Sequence, residues 1–323
     1  MKWMCRLCVA ALLLPAAVLG FAQSRALADE TTAACRSANT PPHVRLAACG
    51  TLFRRTEKAD ARALALVYRG SARLDQGELA LALADFDKAI ALNGHSAIAF
   101  NARGVVHHRT QRLRAAIADY TTAIGLDIDY PEALRNRAYA WLANGELDRA
   151  ERDFATVIEL RADSARGFAD RGRVRYLRGN YWAAYQDLLR ALRLDPADGQ
   201  TVLWISLSLR HLTADGESGA PLPEIAVDLD DWPKLLLSML AGEADVTMAV
   251  RAALASSADL QDQRLSEAHY FAGQLAELGG NPAEAAIQYR SALGSGIPVR
   301  LEAVAAALAL RRLERLRSTG VAQ

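Results

Sequence analysis

Lysine is almost missing from this chain: of 38 basic residues only Lys2, Lys58, Lys88 and Lys234 are not arginine. An arginine bias invites a nucleic-acid reading, yet 37 acidic residues oppose it, so no one-signed field exists to hold a polyanion. Coding bias is the simpler cause. Catalytic signatures are absent as well. There is no His-Glu-x-x-His, no Gly-x-Ser-x-Gly and no phosphate-cradling glycine loop. Histidine is scarce, and the adjacent pair His107-His108 would point about 100° apart on a helix, unable to share a metal from one face. His269 reads as a packing residue. No catalytic residue, metal or cofactor is therefore expected, and the chain reads as a non-enzyme.

Long apolar runs are missing except at the start. Lys2 and Arg6 precede Leu7 to Ala22, apolar apart from its breaks at Pro15 and Gly20, and Ala26-Leu27-Ala28 has the small-x-small form of a signal-peptidase site. The run is short for a membrane span, which needs about 20 residues. Residues 1–28 read as a cleaved export signal, with an uncleaved anchor as the alternative, and the periplasm is the expected location. Three basic residues and no acid lie in that segment, leaving 35 basic against 37 acidic and a formal charge of −2.

Cysteine is rare too. Cys5 and Cys8 leave with the signal, and Cys35 and Cys49 remain. "LAAC" at Leu46–Cys49 imitates a lipidation signal, but it lies far behind polar sequence instead of directly ending an apolar run. "TAAC" at Thr32–Cys35 lacks the usual leucine. No stable membrane anchor is expected. A Cys35–Cys49 disulfide is the economical reading for an exported chain, with two unpaired buried small residues as the alternative.

What the chain does have is a period of 34 residues. Small residues recur at Gly70, Gly104, Ala138 and Gly172. Alanines recur at 82, 116, 150 and 184, and large apolar residues at Phe86, Tyr120, Phe154 and Leu188. Ala89, Ala123, Val157 and Ala191 complete the set. These columns resemble the tetratricopeptide repeat, a pair of antiparallel helices per unit. Gly77, Gly145 and Gly179 close the first helices; Gln111 takes that place in the second repeat, where a looser turn is expected. Two further columns carry charge: Arg69, Arg103, Arg137 and Arg171 against Asp85, Asp119, Asp153 and Asp187. They suggest Arg–Asp pairs bridging two helices, within or between repeats, with ligand binding as the alternative.

After Pro196 the pattern fades. "ADGESGAPLPE" reads as an exposed loop, and "DDWPKLLLSMLAGEADVTMAVRAAL" as two short helices parted at Ala241-Gly242. A fifth repeat returns in "SEAHYFAGQLAELGGNPAEAAIQYRSAL", whose second helix begins at Asn281-Pro282. A final helix places Leu301, Val304 and Leu308 on one face and ends polar, as a cap should. A repeat array, then a Trp-Pro-apolar segment around Trp232, then this last repeat resembles the new-lipoprotein-I group of bacterial envelope proteins over about residues 60–310. That resemblance implies a periplasmic adaptor that docks cell-wall hydrolases and a processing protease. The chain departs from the group in lacking a usable lipobox, and its paired cysteines are closer to soluble periplasmic repeat proteins.

The expected architecture is an all-α tetratricopeptide-repeat helical solenoid with a C-terminal capping helix. Its parts are a signal (1–28), an N-terminal cap (29–60), four tandem repeats (61–198), a divergent helical segment (199–262), a fifth repeat (263–297) and a capping helix with tail (298–323). First helices line the concave face of such arrays. That places Tyr68, Ser71, Asn101, His108, Arg135, Tyr139, Arg166, Asp170 and Arg173 in a partner-binding groove, with His108 exposed. Arg135, Arg166 and Arg173 fall in adjacent repeats, so one extended peptide could touch all three. A merely solvated face is the alternative. The leading function is a non-catalytic adaptor for envelope proteins or peptides, compatible with homodimer formation. The competing one is a structural spacer in an envelope assembly or polysaccharide-export complex.

Overall fold

A computed structural model describes residues 29–214, 229–294 and 301–319. The expected signal, nearly all of the exposed loop after Ala214 and residues 295–300 lie outside that range. All regular structure among the described residues is helical, beginning with residues 29–36 (α1). There follow α2 (Pro42–Arg55), α3 (Ala59–Asp75), α4 (Leu79–Leu92), α5 (Ala97–Arg109) and α6 (Leu113–Leu126). Next come α7 (Pro131–Asn144), α8 (Leu147–Leu160), α9 (Ala165–Leu177), α10 (Tyr181–Leu194) and α11 (Gly199–Ala214). The chain continues through α12 (Asp231–Ala241), α13 (Val246–Leu254), α14 (Ala258–Leu278), α15 (Pro282–Gly294) and α16 (Leu301–Ser318). No described helix is long and apolar enough to cross a membrane.

Local chemistry sets the ends of these helices. Ser96, Ser164, Asn180, Asp245 and Asn281 each accept a hydrogen bond from the backbone N–H three residues on. Such caps satisfy donors that a helix N-terminus leaves open. Gly77, Gly145 and Gly179 take the left-handed conformation between paired helices. So does Gln111, at φ 59°. The second repeat therefore keeps the same turn as the others instead of a looser one, at the steric cost an L-residue pays there.

The chain divides into two compact units. The first comprises the described residues through Thr110 with Gly125–Asp127, and the second comprises the rest. In the first unit Cys35 and Cys49 are joined in a disulfide, both almost fully buried. Arg45 then ties α2 to α3 through Asp75 at 2.9 Å. The core gathers Leu66, Val67, Phe86, Ala89 and Val106. The small column has a steric reason: a Cβ on Gly70 would lie 2.6 Å from Phe86 Cε1. Sixteen positions apart, the small and large columns occupy one space.

The second unit repeats this device, since a Cβ on Gly172 would lie 2.8 Å from Leu188 Cγ. Its largest core surrounds Trp204, Tyr270, Phe271 and Tyr289. Trp232, in the divergent segment, is buried and donates to Glu267 at 2.6 Å. The last helix differs from the one-faced cap expected of it. Leu301, Val304 and Leu308 of α16 pack with Ala138, Leu142, Phe154 and Val174. Its other side places Ala305, Ala306, Ala309 and Leu313 in the large core. A helix apolar on nearly all sides is buried from more than one direction.

Candidate functional site

In the first, third and fourth repeats the charged columns resolve into ion pairs within the repeat. Arg137 grips Asp153 with both Nε and Nη2 at 2.8 Å, and Arg171 holds Asp187 in the same way. Arg69 does so for Asp85 at 2.8 and 2.6 Å. Arg73 and Arg175, one turn further on, add bonds of 2.8 and 2.9 Å to Asp85 and Asp187. Asp85 holds the Arg69 charge through its hydrogen bonds, and Asp187 does the same for Arg171, so both guanidinium pKa values are raised despite burial. Arg103 bonds to Asp87 at 2.8 Å, while Asp119 is buried on α6.

The expected groove residues do not form one open surface. In the first unit, Tyr68 and Ser71 are half-buried on α3, and the Ser71 hydroxyl donates back to Val67 O at 3.0 Å. Asn101 is half-buried on α5. His108 is a correction, for it is buried, at 9% exposure. Its Nε2 has no hydrogen-bond partner among the described residues, and burial lowers its pKa. An imidazole so placed is neutral.

In the second unit, Asp170 is 2% exposed and receives Arg135 Nε at 2.8 Å, Tyr139 OH at 2.6 Å and Arg173 Nη1 at 3.3 Å. Burial and then the Asp170 charge raise the Tyr139 pKa. Burial opposes the Arg135 charge, but Asp170 and Tyr139 outweigh it and the pKa is raised. Arg135, Tyr139 and Arg173 therefore all direct hydrogen bonds to Asp170, while the Arg173 Nε is buried without a partner among the described residues. Arg166 alone of the three groove arginines stays exposed, without an ion pair among the described residues. A single peptide touching all three has no basis here.

The C-terminal helix explains the rest. Leu308 Cδ2 would stand 3.7 Å from a Cβ on Gly145, and the cluster holding Val304 includes Tyr139 and Leu177 on first helices α7 and α9. In the second unit α16 fills the first-helix face, and it cannot leave cheaply because its other side is core. A polar chain fastens it. His211 Nε2 lies 3.0 Å from the Tyr176 hydroxyl, which donates to Gln274 Oε1 at 2.5 Å. Gln274 Nε2 donates to the Tyr289 hydroxyl, which donates to Glu277 at 2.6 Å. Arg312 of α16 closes the chain on Glu277 at 2.6 and 2.8 Å. With the Tyr176 proton committed to Gln274, His211 Nε2 is assigned as the donor. Sequence reasoning missed this network; Gln274, polar at a buried first-helix position, was its only signal.

The fold and geometry define a class, an all-α protein of paired helices repeating every 34 residues. The family model of the tetratricopeptide repeat matches residues 68–131 and 102–165. A tetratricopeptide repeat protein from Parabacteroides merdae has a similar solved structure: 16% identity, 83% of this chain and 92% of that chain covered, TM-score 0.49. The C-terminal part of a repeat protein from Cytophaga hutchinsonii matches at 14% identity over 88% of this chain and 98% of that one, TM-score 0.49. The pilF protein of Pseudomonas aeruginosa matches at 16% over 80% and 98%, TM-score 0.47. No curated protein matches the sequence.

Proposed function

We propose that this chain is an exported, non-catalytic scaffold that holds envelope proteins or peptides on the first-helix face of its first unit. The observation that carries this is Ile98, 47% exposed at the start of α5 and one turn from Asn101. With half-buried Tyr68 on α3 it offers apolar and polar contact area in one unit, whereas α16 takes the equivalent face of the other. Export is supported by the basic, apolar and small-x-small order of residues 1–28 and by the Cys35–Cys49 bridge, since disulfides persist in oxidising compartments. The likeness of the C-terminal segment to new-lipoprotein-I proteins points to cell-wall hydrolases or an envelope protease as partners.

Site-specific photocrosslinking tests this. A crosslinker at position 68 or 98 should trap a discrete periplasmic hydrolase or protease, and one at exposed Lys88 on α4 should not. Ile98→Asp should weaken capture about tenfold, equivalent to roughly 1.4 kcal/mol. Equal trapping from position 88, or none from 68 and 98, would refute the assignment.

A further inference from the structure

The second unit contains a cavity of about 280 Å³ between the α7–α8 turn, α9, α10, α11, α14 and α16. Drug-sized ligands occupy pockets of roughly 300–1,000 Å³; this chamber lies just below that range and has room only for a smaller molecule, about one ring in size. One wall is flat and aromatic: the Tyr181 and His211 rings stack 4.0 Å apart at an interplanar angle of 10°. Another is aliphatic, from Leu147, Leu177 and Leu308. The third carries Arg312 and Arg315, and no aspartate or glutamate is among the described lining residues. Arg312 is already neutralised by Glu277. Arg315 makes no ion pair among the described residues. The chamber therefore presents one uncompensated cation beside an apolar, flat-walled space.

We infer that this chamber is a binding site for a small monocarboxylate with a flat apolar body. The carboxylate meets the Arg315 guanidinium, whose fork matches it in two parallel hydrogen bonds. The body lies between Leu308 and the Tyr181–His211 stack. A dianion is disfavoured because Arg312 is already held by Glu277. A cation is disfavoured by Arg315 itself. This site is independent of the partner face in the first unit, and the two readings stand or fall separately.

Isothermal titration of the purified chain with benzoate and with benzamide, its neutral analogue of like shape, is the test. Benzoate should bind, and benzamide about tenfold more weakly, because a hydrogen bond to a charged group is roughly twice as strong as a neutral one. Arg315→Gln, a change at an exposed position that leaves the fold intact, should bring benzoate down to the level of benzamide. Leu308→Phe should reduce both by narrowing the chamber. Equal affinity for the two probes, no benzoate binding by the folded chain, or benzoate affinity unchanged in Arg315→Gln each overturns the proposal.

Discussion

Replacing Arg137 by leucine should destabilise the second unit far more than replacing Arg137 and Asp153 together. Asp153 is a largely enclosed carboxylate, with its side chain 10% exposed, and both of its oxygens accept from Arg137 at 2.8 Å. Loss of the guanidinium removes two charge-assisted bonds and strands a buried anion, at a cost of about 3–5 kcal/mol. The reverse change is milder. Arg137 is 19% exposed and keeps a bond to Thr121 Oγ1 at 3.2 Å, so Asp153→Leu should cost about 2–3 kcal/mol. The double variant leaves two apolar side chains in contact and should cost only about 1–2 kcal/mol. The cycle then yields a coupling of roughly 3 kcal/mol or more. Urea denaturation of the four proteins, followed by helicity, measures it. Effects that add to within about 0.5 kcal/mol would refute the pairing argument.

Three further outcomes follow from the same geometry. Arg166→Glu should shift stability by less than about 0.5 kcal/mol, whereas Arg173→Glu, facing Asp170 and Asp198, should cost several kcal/mol in urea denaturation. His108 has its pKa lowered by burial, so the unfolded chain binds the proton more readily. The stability it supports is therefore present above the ordinary histidine pKa of about 6.5 and declines as pH falls below it; thermal melts across that window should show a slope that His108→Leu reduces. Gln111→Gly should stabilise by roughly 0.5–1 kcal/mol in denaturant titration, since relief of left-handed strain exceeds the entropy glycine loses on folding.

The repeat was legible because its physics is written at fixed spacing. Gly70 is small where Phe86 is large, and the charged columns lie sixteen residues apart because that separation crosses from first to second helix of one pair. The Asp170 cluster was harder to see. Arg135 and Asp170 occupy neighbouring positions in successive repeats, so no column within one repeat links them. The destination of α16 was not legible at all. The run Ala303 to Leu310 is apolar in every direction and names no single face, and the arginines after it look like an ordinary polar end. His108 was misjudged as exposed because position on a first helix was equated with solvent access.

The seating of α16 also bears on how the second unit folds. Repeat arrays form mostly from neighbour contacts, which lets them nucleate anywhere and fray from their ends. Here Val304 shares a cluster with Ala138 and Phe154, and Arg312 completes a hydrogen-bond chain that starts at Tyr176. These contacts join α16 to α7, α8 and α9, far away in sequence, and raise the contact order of the unit, which slows folding. They also tie α16 down, so unravelling has no loose helix there from which to start. The second unit should therefore open as one cooperative block, in which α16 locks the helices that precede it.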